Sequence, residues 1–287
     1  MTTRLAVLTL LLTAFGYASI AQQKQEEPTI PTATQWTLDA AGPVQRAAIG
    51  SVFLMHCPNA RSKGTGFLLK NGLVVTNAHV VAGCDGQQMV AMPSSSGSAV
   101  HFSKMVKDEA VDLALLRPTE PQKGGLELGP EQDPQVGTSV STWGYPLTYN
   151  GPSPLLSVGY VAGFNKEQEQ PGSKAVKHLI VNGAFNPGNS GGPLFLAKDN
   201  KVMGVVVAKF HLYPPHVKNA ITALSNNKSG FMYNATDEHG NAIQVTEAQV
   251  VAMVLDQFYV TTQVMIGEAI SLSELKAFIA SKETELR

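Results

Sequence analysis

Short apolar stretches, each bounded by Gly, Pro, Asn, Asp or charge, recur along most of this chain. Residues 49–55, 65–70, 73–76, 89–92, 100–104 and 112–116 read as strands: they are rich in Val, Leu and Phe and too short for helices. Lys70-Asn71-Gly72, between the second and third, predicts a hairpin. Their spacing and turn residues predict a small antiparallel barrel. Residues 118–136, with Pro, Gly and charge, read as a crossing linker, and a second strand set follows at 139–143, 155–161, 178–183, 193–196 and 202–208. Later the period changes. Thr246-Glu247-Ala248-Gln249 has the form of a capping box, opening a helix with Val250, Val251, Val254, Leu255, Phe258 and Tyr259 apolar. Ser271-Leu272-Ser273-Glu274 begins a final amphipathic helix with Leu275, Phe278 and Ile279 on one face.

Between the strands of the second set lies Asn186-Pro187-Gly188-Asn189-Ser190-Gly191-Gly192-Pro193-Leu194. A serine flanked by glycines can sit on a tight turn with its hydroxyl exposed, and the glycines let neighbouring N–H groups converge beside it. A nucleophile next to converging donors suits acyl transfer, in which the donors stabilise the oxyanion that forms. Two upstream segments complete the pattern. His79, in Val75-Thr76-Asn77-Ala78-His79-Val80-Val81, follows a strand that can fix a general base. Asp112 heads the apolar run Leu113-Ala114-Leu115-Leu116, where a carboxylate can accept the Nδ1 hydrogen of His79 and leave Nε2 to Ser190. His56, His101, His178, His211, His216 and His239 default to structural or surface roles.

Gly188-Asn189-Ser190-Gly191-Gly192 also fits G-x-S-x-G, the nucleophile elbow of α/β-hydrolases. That elbow needs a helix straight after the serine and an acid and a histidine further on. Pro193 and the apolar strand after it argue against the helix, and the pairs Asp199 with His211 and Asp237 with His239 lie in turn-like polar stretches.

The order His79, Asp112, Ser190, with these flanks, resembles the chymotrypsin-fold (trypsin-like) serine peptidases, and among them the Deg/HtrA-type protease domain. Further anchors are Gly64-Thr65-Gly66-Phe67, Ser157-Val158-Gly159-Tyr160-Val161-Ala162-Gly163 and, more weakly, Ile266-Gly267-Glu268-Ala269-Ile270-Ser271. The resemblance covers roughly residues 45–287 and implies an all-β fold of two six-stranded antiparallel β-barrels, about 45–117 and 137–287, with the active site between them. It departs from the family in one place. About fifty residues, 211–263, intervene where the family turns back quickly: the first part is turn-rich, with Pro214-Pro215, Asn226-Asn227 and His239-Gly240, and the capping box then opens the helix of an inserted helical segment. The plain reading is an extra helix packed on the second barrel, and the sharper one a lid or oligomer contact. After the C-terminal helix no PDZ domain is expected. By resemblance, the N–H groups of Gly188 and Ser190 form the oxyanion hole. Ala184 and Phe185 lie at the base of the primary pocket, with Val207, Ala208 and Lys209 as its wall. No aspartate stands at that floor, so a shallow apolar pocket for small side chains is expected, with Lys209 a cation near the rim. Zymogen-type relatives carry an aspartate before the nucleophile, and Asn189 stands there instead. A Cys57–Cys84 disulfide is what many relatives imply, the alternative being two buried thiols.

Residues 1–21 have a short positive region and an apolar core, with Ser19-Ile20-Ala21 suited to cleavage, and read as a signal peptide. Residues 22–44, polar and rich in Gln, Glu, Thr and Pro, read as an extended leader. The expected destination is periplasmic or secreted, with no stable membrane anchor after cleavage. Twenty-one basic side chains against 22 acidic ones, without a basic stripe, give no reason to expect a nucleic-acid partner. The expected partner is a polypeptide substrate, with a homo-oligomer as a further expectation. The chemistry calls for no cofactor and no metal. The rival function is a catalytically idle trypsin-like module that captures extended peptides by strand addition.

Overall fold

The computed structural model describes residues 33–286 except 59, 61, 95–97, 148, 169–171, 208–214, 238–239 and 262–264. The signal segment 1–21, the leader up to residue 32, and Ala208 and Lys209 of the expected pocket wall therefore lie outside the described residues.

Among the described residues two short helices come first, α1 (Ala33–Ala40) and α2 (Pro43–Gly50). This part of the leader is therefore helical rather than extended. Pro43 stands in the first turn of α2, where its missing N–H costs nothing and its fixed φ suits a helix. Ala48 and Ile49 are then buried on the body of the protein. The strand expected from residue 49 consequently starts three residues later.

The first barrel is closed in the order β1-β2-β3-β6-β5-β4, from β1 (Val52–Cys57), β2 (Ser62–Leu68), β3 (Val74–Thr76), β4 (Val90–Pro93), β5 (Val100–Asp108) and β6 (Leu113–Pro118). The second is closed in the order β10-β11-β14-β9-β8-β7, from β7 (Ser139–Gly144), β8 (Leu155–Glu167), β9 (Val176–Asn182), β10 (Pro193–Leu196), β11 (Val202–Val207) and β14 (Gly267–Ser271). Both barrels are antiparallel throughout.

The unbroken apolar runs have a simple cause. Alternate strand residues face opposite ways, and here both faces are covered. On β6, Ala114 and Leu116 point into the first barrel, whereas Leu113 and Leu115 join a core shared with Trp143, Phe195 and Val205 of the second. A third cluster, including Val140, Leu179, Leu194 and Ala269, fills the second barrel. The C-terminal helix α5 (Leu272–Leu286) adds Leu272, Leu275 and Phe278 to the shared core. It packs on β5 and β6 of one barrel and on β11 and β14 of the other. The Arg117 guanidinium donates to the Leu286 carbonyl at 2.8 Å, which ties the end of α5 to the first barrel.

Between β11 and β14 stand α3 (Pro215–Ser225), the hairpin β12 (Met232–Thr236) with β13 (Ala242–Thr246), and α4 (Glu247–Thr261). The capping box at α4 forms as expected. The Thr246 N–H donates to Gln249 Oε1 at 2.9 Å, and the Gln249 N–H returns to Thr246 Oγ1 at 3.3 Å. Two features differ from expectation. The turn-rich start holds α3, with Pro215 in its first turn, where proline is tolerated. The main packing partners of α4 are α3 and β13, not the second barrel. Met253, Val254 and Phe258 of α4 consequently remain largely exposed.

Cys57, at the end of β1, is bonded to Cys84, just beyond the 3-10 turn His79–Val81. The bridge spans 27 residues, a loop whose closure stabilises the folded chain by about 3–4 kcal/mol in the chain-entropy model. Replacing both cysteines by alanine should therefore lower the unfolding free energy by about that amount in denaturant melts.

Candidate active site

His79 leaves β3 on the 3-10 turn, and its position is set largely by Asp112. The His79 N–H donates to Asp112 Oδ1 at 3.0 Å, while Nδ1 lies 3.0 Å from Oδ1 and 2.8 Å from Oδ2. An ionised carboxylate only accepts, so the hydrogen sits on Nδ1 and the Nε2 lone pair faces away from the aspartate. Asp112 is 3% exposed, whereas the His79 side chain is 34% exposed. One end of the couple is dry and the other open.

Asp112 reaches this position through an unusual backbone. Its φ is +52°, in the left-handed region that aspartate tolerates better than most residues. Asn77, fully buried, donates from Nδ2 to the Asp112 carbonyl at 2.9 Å and holds that conformation. Nothing in the sequence marked Asn77 for this role beyond its place two residues before His79.

The serine turn is held from both barrels. Within the second, the Gly191 N–H donates to the Val206 carbonyl at 2.9 Å, and the Val206 N–H to the Gly192 carbonyl at 2.8 Å. From the first, the Thr65 N–H donates to the Ser190 carbonyl at 2.8 Å, and the Thr65 hydroxyl donates to the Gly188 carbonyl at 2.6 Å. The same hydroxyl accepts the Tyr145 N–H at 3.0 Å. Thr65 thereby joins three backbone positions, a role the sequence did not reveal. Tyr145 is itself buried, and loss of hydration pushes its phenol well above the usual tyrosine value, so it stays neutral.

Gly191 shows how close the barrels come. Its φ is +83°, and a Cβ there would collide with the Thr65 carbonyl and the Thr76 hydroxyl. The turn bearing Ser190 is thus packed on Thr76 and Asn77, the segment leading into His79. Ser190 is 5% exposed and Gly188 has a φ of +98°.

Of the expected pocket residues, Ala184 is half-buried after β9. Phe185 is 7% exposed, belongs to the core of the second barrel, and lies so close over Gly267 that no side chain fits there. Val207, ending β11, is 3% exposed.

Residues 64–205 match the family model of the trypsin-like peptidase domain. The chain carries a trypsin-like peptidase domain. Over 152 residues it is 34% identical to HhoA of Synechocystis sp., covering 51% of this chain and 36% of that protein. Over 151 residues it is 32% identical to a protein of Halomonas elongata named as a DegP-like periplasmic serine endoprotease, covering 52% of this chain and 30% of the relative. It is 29% identical over 184 residues to Protease Do-like 4 of Arabidopsis thaliana, covering 59% and 34%. The chain thus spans about a third of the length of these relatives. Its fold is similar to that of the Rv3671c protease from M. tuberculosis. The inactive form aligns with a TM-score of 0.55 at 18% identity over 88% of this chain and 98% of that one. The active form aligns with a TM-score of 0.50 at 20% identity over 89% and 96%. At such identities the likeness is one of fold.

In this peptidase domain Thr65→Val keeps the side-chain volume but deletes the hydroxyl that serves Gly188 and Tyr145. It should cost about 1–3 kcal/mol of stability in denaturant melts, because two buried backbone groups lose their partner. It should also slow labelling by a fluorophosphonate probe relative to wild type.

Proposed function

We propose that this chain is an exported serine endopeptidase that hydrolyses peptide bonds in unfolded or exposed polypeptides through Ser190, His79 and Asp112. The observation that carries this reading is the His79–Asp112 couple, dry at the carboxylate and open at the imidazole, beside a serine turn packed on the same segment. A binding module that only captures peptides needs none of these groups.

The chemistry follows from the groups. Ser190 Oγ attacks the scissile carbonyl carbon while His79 Nε2 takes the hydroxyl proton. Asp112 keeps the hydrogen on Nδ1 and stabilises the imidazolium. The carbonyl oxygen becomes an oxyanion, received by the N–H groups of Gly188 and Ser190, a pair whose donors are each worth about 3–4 kcal/mol in such a transition state. The imidazolium then gives its proton to the departing amine, and the acyl group stays on Ser190. Water, deprotonated by His79, releases it and restores the serine.

The lack of an acidic side chain at Ala184 and Phe185, the expected base of the primary pocket, supports a preference for short apolar side chains before the cut. The apolar segment after Arg4 and the disulfide support export. Among the described residues no helix is long and apolar enough to cross a membrane. The exposed side chains of α4, with Phe231 beside β12, support self-association through the inserted segment.

Ser190→Ala should abolish both casein hydrolysis and fluorophosphonate labelling while melting like wild type, and Asp112→Asn should lower kcat about 10⁴-fold. Wild-type rates in either variant defeat the assignment. A peptide-library profile should be dominated by Ala, Val and other small residues before the cut, and dominance by Lys or Arg contradicts the expected apolar pocket.

A further inference from the structure

Strands β8, β9 and β14 are neighbours in the second barrel, with β9 between the other two. His178 of β9 pairs in register with Asn165 of β8 and with Ile270 of β14. Residues two apart on a strand share a face. Glu167, two beyond Asn165, and Glu268, two before Ile270, therefore project on the same side of the sheet as His178. The side chains converge. Nδ1 of His178 lies 3.3 Å from Glu268 Oε2 and 4.0 Å from Glu167 Oε2, and one ligand atom from each residue lies within 4.8 Å of the other two.

An ion pair alone fits this group poorly. His178 is fully buried and the Glu268 side chain only 14% exposed. A protonated imidazole offsets one carboxylate, not two. Among the described residues no Lys or Arg forms an ion pair with Glu167 or Glu268. Two carboxylates held together beside a buried imidazole repel one another unless something of higher charge joins them. A divalent cation with neutral His178 balances both.

We infer that Glu167, His178 and Glu268 bind one divalent transition-metal cation of the zinc class. Tetrahedral zinc, with bonds of about 2.0–2.1 Å, sets its ligands roughly 3.3–3.5 Å apart. The His178–Glu268 separation already matches. Glu167, at the end of β8 with its side chain 40% exposed, closes the remaining gap by a small rotation. The Asn165 side chain donates from Nδ2 to Glu167 Oε1 at 2.9 Å, which turns the other oxygen toward His178 as an outer partner of a metal ligand does. Imidazole with two carboxylates suits zinc better than magnesium or calcium, which take oxygen ligands. The exposed Glu167 side leaves the fourth position to water. Such a cation cross-links three strands of the barrel wall. Glu268 is also paired in register with Val207 of β11, the strand that holds the Ser190 turn.

The test uses the full-length chain, stripped with a chelator and titrated with ZnCl₂ by calorimetry and thermal unfolding. One zinc should bind per chain, with a Tm that climbs as free zinc rises. Glu167→Gln and Glu268→Gln keep the side-chain shapes. Each should melt near the chelated wild type yet bind zinc at least about tenfold more weakly. Absence of saturable binding overturns the proposal, as does wild-type affinity in both variants, which would place the zinc on other histidines. Equal stabilisation by MgCl₂ overturns the metal class. If the variants lose the same stability with and without zinc, the cluster is an ion pair only and the proposal fails. None of these readouts depends on peptide hydrolysis.

Discussion

One hydroxyl connects the two halves of this molecule at the point where they meet. Thr65 Oγ1 gives its hydrogen to the Gly188 carbonyl and accepts the Tyr145 N–H, while the Thr65 amide holds the Ser190 carbonyl. All three partners belong to the second barrel, and Thr65 to the first. Because the hydroxyl is fully buried, water cannot replace it, so the serine turn keeps its shape only while the barrels stay docked. The apolar core beneath, with Leu113 and Leu115 facing Phe195 and Val205, and the helix lying across both barrels keep them docked. Packing energy, spread over many side chains, is thus converted into fixed geometry at a few backbone atoms.

The fold was legible where sequence periodicity reflects burial directly. Strands such as β6 and β11 are covered on both faces, and their continuous apolar runs leave little else for them to be. The final helix was legible for a similar reason, since Leu275 and Phe278 on its apolar face join the shared core. The sequence was less informative where proline has two meanings. In the sequence Pro43 and Pro215 suggest extended or turning chain, yet each stands in the first turn of a helix. The placement of α4 was also unreadable. Apolar residues spaced around a helix say that it packs, not on what, and α3 and β13 received it.

At the candidate site, residue type and order pointed to His79, Asp112 and Ser190, and the cysteines pair as the resemblance implied. The supporting residues stayed hidden. Asn77 and Thr65 act through contacts with residues 35 and 123 positions away, a separation that no local pattern encodes. His178 illustrates the opposite difficulty. Singly it was an ordinary buried histidine, and only the strand register brings Glu167 and Glu268 to it.

The base of the inserted segment has an implication beyond its own packing. It leaves the barrel at β11 and rejoins it at β14, and Val207 and Glu268 face each other in register across that junction. Neighbouring strands lie only about 4.8 Å apart, so the two ends of the segment are clamped side by side by the sheet itself. Lengthening, shortening or exchanging what lies between them alters no strand pairing elsewhere. Such a junction is a natural grafting point, at which evolution or an engineer can swap one accessory module for another while the barrel wall remains undisturbed.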